Sequence, residues 1–354
     1  MYNTKRIALV IAGLLIALAS HARGEYATSK ICNLGLLYYG ANYRMHMTPE
    51  DLTPYVVHTY ADGKQDWLFD GFLFLDFYDG ATCHFCPAST VGRDARKTDW
   101  QKYLDAHFEP GRALDALNTT IENFKATLGE PAFKHRVVMT VPTPIPGQKD
   151  WGELNGRPLD FDNTADAVAA CRWFIEQAKE RFEAAGFNNL ELSGIYWLDE
   201  QMDRNGDVAR EVADVVHSNG LQYIWIPWFK APMYNQWREL GFDIAYLQPN
   251  YFFIKKVSPD RLDEACALAR QYGMALEYEC DNPTYFENES DFLARMDRYT
   301  NAFKRNKVFK QSALAYYTGS QLLKDFVNNP TRENQRTMDR LAREMTKRRK
   351  KWNF

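Results

Sequence analysis

The chain has 354 residues and a formal net charge of −3, with 45% hydrophobic and 25% charged residues, 20 Gly and 15 Pro. This globular composition excludes collagen-like, disordered and multi-pass membrane classes. The unusual quantity is an aromatic content of 14%, from 9 Trp, 20 Tyr and 22 Phe, which serves either a large core or a groove that stacks flat ligands.

In chain order, Lys5-Arg6 forms a basic start, Ile7 to Ala19 is apolar, and Ser20-His21-Ala22 is a small-x-small cleavage signal. The apolar run is shorter than the ~20 residues of a spanning helix. The expectation is a cleaved signal peptide over residues 1–22, with an uncleaved anchor as the alternative. It implies a protein exported to the periplasm or the extracellular space, whose mature charge moves to −5 with the loss of Lys5 and Arg6. No later segment is long and apolar enough to span a bilayer.

Beyond residue 31, short apolar runs alternate with amphipathic stretches. The first strand, Cys32–Tyr39, is followed by a connection that Pro49, Pro54 and Gly63 interrupt, with Tyr55–Tyr60 open as an extra strand. Gly71–Phe77 is the second strand, Leu104–Leu128 a helix, and Arg136–Val141 the third strand. A helix over Ala165–Ala185 carries Ala169, Phe174, Ala178 and Phe182 on one face and stops at Gly186. Leu190–Leu198 is the fourth strand, and a helix over Asp207–Ser218 stops at Asn219-Gly220. The fifth and sixth strands are Gln222–Pro227 and Ile244–Gln248. A helix over Pro259–Tyr272 has Ser258 as N-cap and stops at Gly273. Met274–Glu279 and Ala313–Tyr317 are the seventh and eighth strands, separated by a helix over Ser290–Lys304, and Thr331–Lys350 is the closing helix. Most strands are continuously apolar, as strands covered on both faces are. Eight strands alternating with helices predict an α/β protein with a single (β/α)8 TIM barrel over residues 23–354. The alternative, an open doubly wound sheet, would carry a glycine-rich turn after its first strand, and no G-x-G-x-x-G occurs.

The one basic run, Lys347-Arg348-Arg349-Lys350-Lys351, continues a helical pattern and reads as a solvated helix end, with no nucleic-acid or membrane partner implied. Among the six Cys, Cys83-x-x-Cys86 is a lone pair, expected as a local disulfide or a pinned loop rather than as a zinc site. Cys171 and Cys266 read as small core residues.

In a barrel the functional groups come from the C-terminal strand ends. Strand four ends in Tyr196-Trp197-Leu198-Asp199-Glu200 and strand seven in Glu277-Tyr278-Glu279-Cys280-Asp281. A carboxylate after an apolar strand is costly unless it is paired or faces a wet pocket. Glu200 and Glu279 or Glu277 would oppose each other across the mouth, the arrangement glycoside hydrolysis needs. Glu279, nearer the mouth, is the nucleophile candidate, with Glu277 as a supporting acid or hydrogen-bond partner and Glu200 as acid/base. Each of these carboxylates could instead cap a helix or pair with a Lys or Arg. Asp76 ends strand two in either a catalytic or a structural role. Asp199 points away from Glu200 as a supporting or substrate-binding group. Tyr196, Trp228 and Tyr251 are candidates for stacking on sugar faces, and Gln248 and Asn250 for bonding sugar hydroxyls. No G-x-S-x-G, Walker A, His-x-His or H-E-x-x-H motif occurs, so no cofactor or metal is implied.

The segments Pro54-Tyr55 through Trp67-Leu68-Phe69-Asp70-Gly71-Phe72-Leu73-Phe74-Leu75 and Gly194-Ile195-Tyr196-Trp197-Leu198-Asp199-Glu200 resemble a domain of unknown function, number 4855, found in exported bacterial proteins. The resemblance covers nearly all of the mature chain and implies a glycosidase-like barrel. A more distant similarity is to the glycosidase superfamily with its acid/base on strand four and nucleophile on strand seven. Those enzymes place Asn before the acid/base, against the sugar 2-hydroxyl, where this chain has Asp199. The leading expectation is an exported, retaining glycoside hydrolase acting on a carbohydrate. The alternatives are a non-catalytic glycan-binding or scaffold barrel, and a metal-assisted hydrolase using Asp76, His84 and the Cys pair.

Overall fold

A computed structural model describes residues 24–39, 47–281, 289–319 and 321–352. The expected signal peptide lies outside the described residues. Eight parallel strands close into a barrel in the order of the chain: β1 (Asn33–Tyr38), β2 (Gly71–Leu75), β3 (His135–Val141), β4 (Leu190–Trp197), β5 (Gln222–Trp225), β6 (Ile244–Leu247), β7 (Ala275–Cys280) and β8 (Leu314–Thr318). β8 pairs back onto β1 through Asn33↔Leu314 and Gly35↔Tyr316, so no barrel edge is left open. Helices between the strands make this a TIM barrel, and no described helix is long and apolar enough to cross a membrane.

The helices follow their local signals. α1 (Pro49–Val56) starts with a reciprocal cap in which Asp51 N donates to Thr48 Oγ1 (3.4 Å) and Thr48 N to the Asp51 carboxylate (3.2 Å). Tyr55 and Val56 therefore complete a helix, and only Val57–Thr59 of the expected extra strand is extended, paired with Gln65–Trp67. The stretch expected as one helix over Leu104–Leu128 is two, α2 (Lys97–Ala106) and α3 (Ala113–Leu128). Pro110 lacks the N–H a continuing helix needs, and Gly111 takes φ +74° between them. α4 (Thr164–Ala185) ends at Gly186 with φ +61°, a left-handed cap that favours glycine. α5 (Gly206–Ser218), α6 (Asp260–Gln271), α7 (Glu289–Arg305) and α8 (Arg332–Arg349) complete the ring, with short helices at Val308–Gln311 and Leu322–Asn328.

The basic C-terminal run is not a solvated face. Lys347, Lys350 and Lys351 are exposed, whereas Arg348 and Arg349 are buried at the N-terminal end of the barrel. Arg348 donates to the carbonyls of Cys32 (2.6 Å) and Phe309 (3.1 Å), to Asn33 Oδ1 (2.6 Å) and to Ser312 O. Arg349 donates to Leu68 O (2.7 Å), to Trp67 O and to Asp66 (3.1 Å). The buried Asp70 carboxylate accepts the backbone N–H groups of Cys32 and Asn33, both at 2.7 Å. The two arginines are buried because they bring donors to the carbonyls and the Asn33 amide gathered at the strand starts.

Candidate active site

At the opposite end, the strand C-termini enclose a cleft of about 520 Å³. Alternation along β7 sets its floor. Tyr278 turns outward, where its hydroxyl donates to Met296 O (2.8 Å) and stands 3.1 Å from Thr300 Oγ1 on α7. Glu277 and Glu279 consequently turn inward and line the cleft. Glu200, three residues beyond the last paired residue of β4, lines the same cleft and is half-buried, while Glu277 and Glu279 are 3% and 1% exposed.

The loop after β6 is shaped around Glu279. Asn250 adopts φ +47°, a left-handed turn that aims successive backbone N–H groups in one direction. Asn250 N (3.2 Å) and Nδ2 (3.3 Å) reach Glu279 Oε1, while Tyr251 N (3.3 Å) and the Tyr299 hydroxyl reach Oε2. Gln248 anchors the same loop: its amide donates to Ile226 O (2.9 Å) and accepts from Asn250 Nδ2 (3.0 Å), and it also hydrogen-bonds Glu200. Glu277 has neither a hydrogen bond nor a cation among the described residues.

These surroundings separate the three carboxyls. Burial lifts Glu200 to about 8, reinforced by the charges of Asp199 and Glu279 and opposed by the Gln248 hydrogen bond. Burial lifts Glu279 to about 7, held from rising further by Tyr299 and the N–H groups of Tyr251, Asn250 and Phe252. Burial and the charges of Glu279 and Glu200 push Glu277 well above the usual carboxyl range. One carboxyl rich in donors beside one poor in them is the pattern that assigns base and acid roles.

Of the residues singled out by sequence, the cleft brings together Glu200, Glu277, Glu279, Tyr196, Gln248 and Asn250. Four others lie outside its lining. Tyr251 is fully buried as a strut: Arg295 stacks 4.1 Å over its ring and Arg298 donates to its hydroxyl (3.0 Å). Trp228 is half-buried away from the cleft. Asp76 is buried, with Oδ1 accepting Phe77 N at 2.8 Å. Asp199 is 1% exposed; its backbone N donates to Thr143 Oγ1 (3.1 Å) and its carbonyl accepts Trp225 Nε1 (2.8 Å). It stands behind the site, because the chain leaves the ladder after Trp197 and strand alternation no longer sets its direction.

The cleft rings are instead Tyr38, Phe77, Tyr78, Tyr196, Phe253 and Tyr317. Tyr317 meets Tyr38 and Phe253 edge-on, each at 5.5 Å between centroids. Sequence reasoning missed Phe253 and Tyr299. Phe253 follows an irregular turn, and Tyr299 shares the apolar face of α7 with Phe292, Met296 and Phe303, so by periodicity it reads as core.

Cys83 and Cys86 are buried free thiols, not a disulfide, Cys83 in a small sheet of Tyr78–Asp79, Cys83–His84 and Arg93–Asp94 and Cys86 in the bend that follows. His84 is spoken for by Val91 O (3.0 Å) and Asp94 (3.1 Å), and among the described residues no three His, Cys, Asp or Glu side chains converge as a metal site.

The profile of the family described as Domain of unknown function (DUF4855) matches residues 33–343, from the first residue of β1 into α8. No curated protein matches the chain in sequence. Among solved structures, a mutant tryptophan synthase alpha-subunit from the hyperthermophile Pyrococcus furiosus is 11% identical, covering 89% of this chain and 97% of that one, with a TM-score of 0.41. A second mutant of the same subunit gives 11%, 89%, 97% and 0.42.

Proposed function

The chain belongs to the DUF4855 family, and we propose that it is an exported glycoside hydrolase of the retaining type, with Glu200 as acid/base and Glu279 as nucleophile. The observation that carries this reading is one aromatic cleft holding carboxyls from β4 and β7 in unlike surroundings. Glu279, with four donors on its two oxygens, is the carboxyl of the trio most readily kept ionised. Glu200, with one bond from Gln248, holds its proton at neutral pH.

In the first step Glu200 gives its proton to the glycosidic oxygen as the Glu279 carboxylate bonds to the anomeric carbon and the leaving alcohol departs. In the second, Glu200 takes a proton from water, whose oxygen displaces Glu279. For attack, a Glu279 lone pair must turn from its donors to the sugar, so the long bonds from Asn250 and Tyr251, 3.2–3.3 Å, are the ones to loosen. The cleft rings supply faces against which sugar C–H groups pack.

The test is a polysaccharide panel with anomeric product analysis, run on the native protein and on Glu200→Gln and Glu279→Gln. Native turnover with retained configuration, lost by a factor of about 10³ or more in each variant, is the expected result. Full activity in either variant removes that residue from the mechanism, and an inverted product removes the nucleophile role. Glycan binding that survives both substitutions, with no product from any form, would make the barrel a binding module.

A further inference from the structure

The charge inventory of the cleft is one-sided. Its lining includes three glutamates and, among the described residues, no Lys, Arg or His. Every donor that reaches the trio is neutral: Asn250, Tyr251, Phe252 and Tyr299 serve Glu279, and Gln248 serves Glu200. Among the described residues Glu277 is left with none. It is 3% exposed, and it lines the cleft with Leu36, Tyr38 and Tyr196. A carboxyl in that state is ordinarily matched by a protein cation or by bonded donors, and leaving it unmatched costs several kcal/mol in either protonation state. Three other buried carboxylates follow this rule: Asp70 takes two backbone N–H groups, and Asp99 and Asp51 meet Arg93 and Lys324. Among the described residues nothing meets the Glu277 carboxyl, and the side it presents is the cleft.

Resting on the glycosidase reading of this cleft, we infer that the sugar occupying its floor carries a free, cationic amino group and that Glu277 is the specificity-determining partner of that ammonium. An amine flanked by the electron-withdrawing oxygens of a sugar titrates in roughly the α-amino range, about 7.7–8.0, so at neutral pH its ammonium form brings to the trio a positive charge that no described residue of the cleft supplies. Glu277 then stands as a carboxylate beside the ammonium, the proton between them passing to the amine, and no covalent step is involved. A neutral sugar offers hydroxyl donors but no charge. An N-acetylated sugar offers a bulkier amide in place of the cation, and a uronic or sulfated sugar would add a fourth anion to the site.

The test measures binding of glucosamine, galactosamine and mannosamine to the full mature protein by calorimetry. Glucose, galactose, mannose and the three N-acetyl derivatives are the neutral comparators. Hydrolysis of chitosan, cellulose and galactosaminan oligomers is followed in parallel. At least one amine is expected to bind about tenfold or more tightly than both of its comparators, the effect of one charge-assisted contact. In Glu277→Gln the preference should fall to near unity, while circular dichroism and an unfolding transition report whether the variant folds. Comparators binding as well as every amine overturn the inference, and a preference that persists in folded Glu277→Gln overturns the role of Glu277. Hydrolysis of neutral glycans without amine preference leaves the glycosidase reading standing and this one fallen. An amine preference without hydrolysis of any glycan does the reverse.

Discussion

At the scale of single residues, what distinguishes the cleft is unequal treatment of three similar side chains. Among the described residues Glu279 receives the most hydrogen bonds, Glu200 one and Glu277 none, and their proton affinities rise in that order. In the proposed mechanism turnover needs Glu279 ionised and Glu200 protonated, so kcat/KM should rise as pH passes about 7 and fall as it passes about 8. The two limbs belong to the coupled trio rather than to either residue alone. A narrow bell near neutrality in the pH–rate profile is the expected measurement, and a profile flat from pH 5 to 9 would contradict the pairing. Tyr299→Phe removes one donor from the carboxylate and nothing from the acid. Its acidic limb should move to higher pH while the alkaline limb stays, with roughly a tenfold loss of kcat/KM at pH 6.5 and less at the optimum. Equal displacement of both limbs would mean that Tyr299 acts through general packing. The glutamates themselves are legible in sequence, because charge after an apolar strand is conspicuous. Tyr299 is not, since a buried tyrosine on an apolar helix face has the same spacing whether its hydroxyl points at a carboxylate or at a carbonyl.

At the scale of elements, the eight strands are readable to within two residues because fully covered parallel strands are apolar throughout. Misreadings occur where local chemistry overrides the pattern, as at Pro110-Gly111 between α2 and α3 and at the capped turn that starts α1. The C-terminal helix is the instructive case. By composition α8 ends in a cationic tail, yet two of its five consecutive cations are internal donors to the ends of β1 and β8 and to the approach to β2. A sequence reveals that a helix ends in arginines but not that backbone carbonyls wait opposite two of them. Arg348→Ala would leave several buried acceptors unmatched, a loss of about 3–5 kcal/mol. Arg348→Lys, with the charge kept but the planar fork gone, should cost about half of that. Denaturant unfolding checks both, and a loss below about 0.5 kcal/mol for the alanine variant would return the run to the solvated reading. Because the site lies at the other end of the barrel, KM of the surviving folded fraction should not move.

At the scale of the whole molecule, the two ends of the barrel are electrostatic opposites. The N-terminal end matches its buried charges with partners, whereas the mouth concentrates three carboxyls whose proton affinities burial raises. A carboxyl raised by folding stays protonated in the folded chain while the unfolded chain ionises above about pH 4.3. The folded state then binds more protons, so stability is greatest below that pH and declines as pH rises toward the folded values near 7 and 8. Glu277→Gln replaces the least compensated member by a neutral isostere. It should raise stability by about 1 kcal/mol at pH 8 and by little at pH 4, the usual sense of the trade between stability and a functional site. Arg348→Lys should lower stability by a similar amount at both pH values, because no carboxyl titration underlies it. The double variant then asks whether the closed barrel transmits strain from one end to the other. Sites this far apart with no shared partner should add to within about 0.5 kcal/mol at pH 8, with kinetic parameters altered only through Glu277. An interaction energy above about 1 kcal/mol would mean that the arginine end sets the geometry of the carboxyl trio. In that case the frame and the site would be a single cooperative unit.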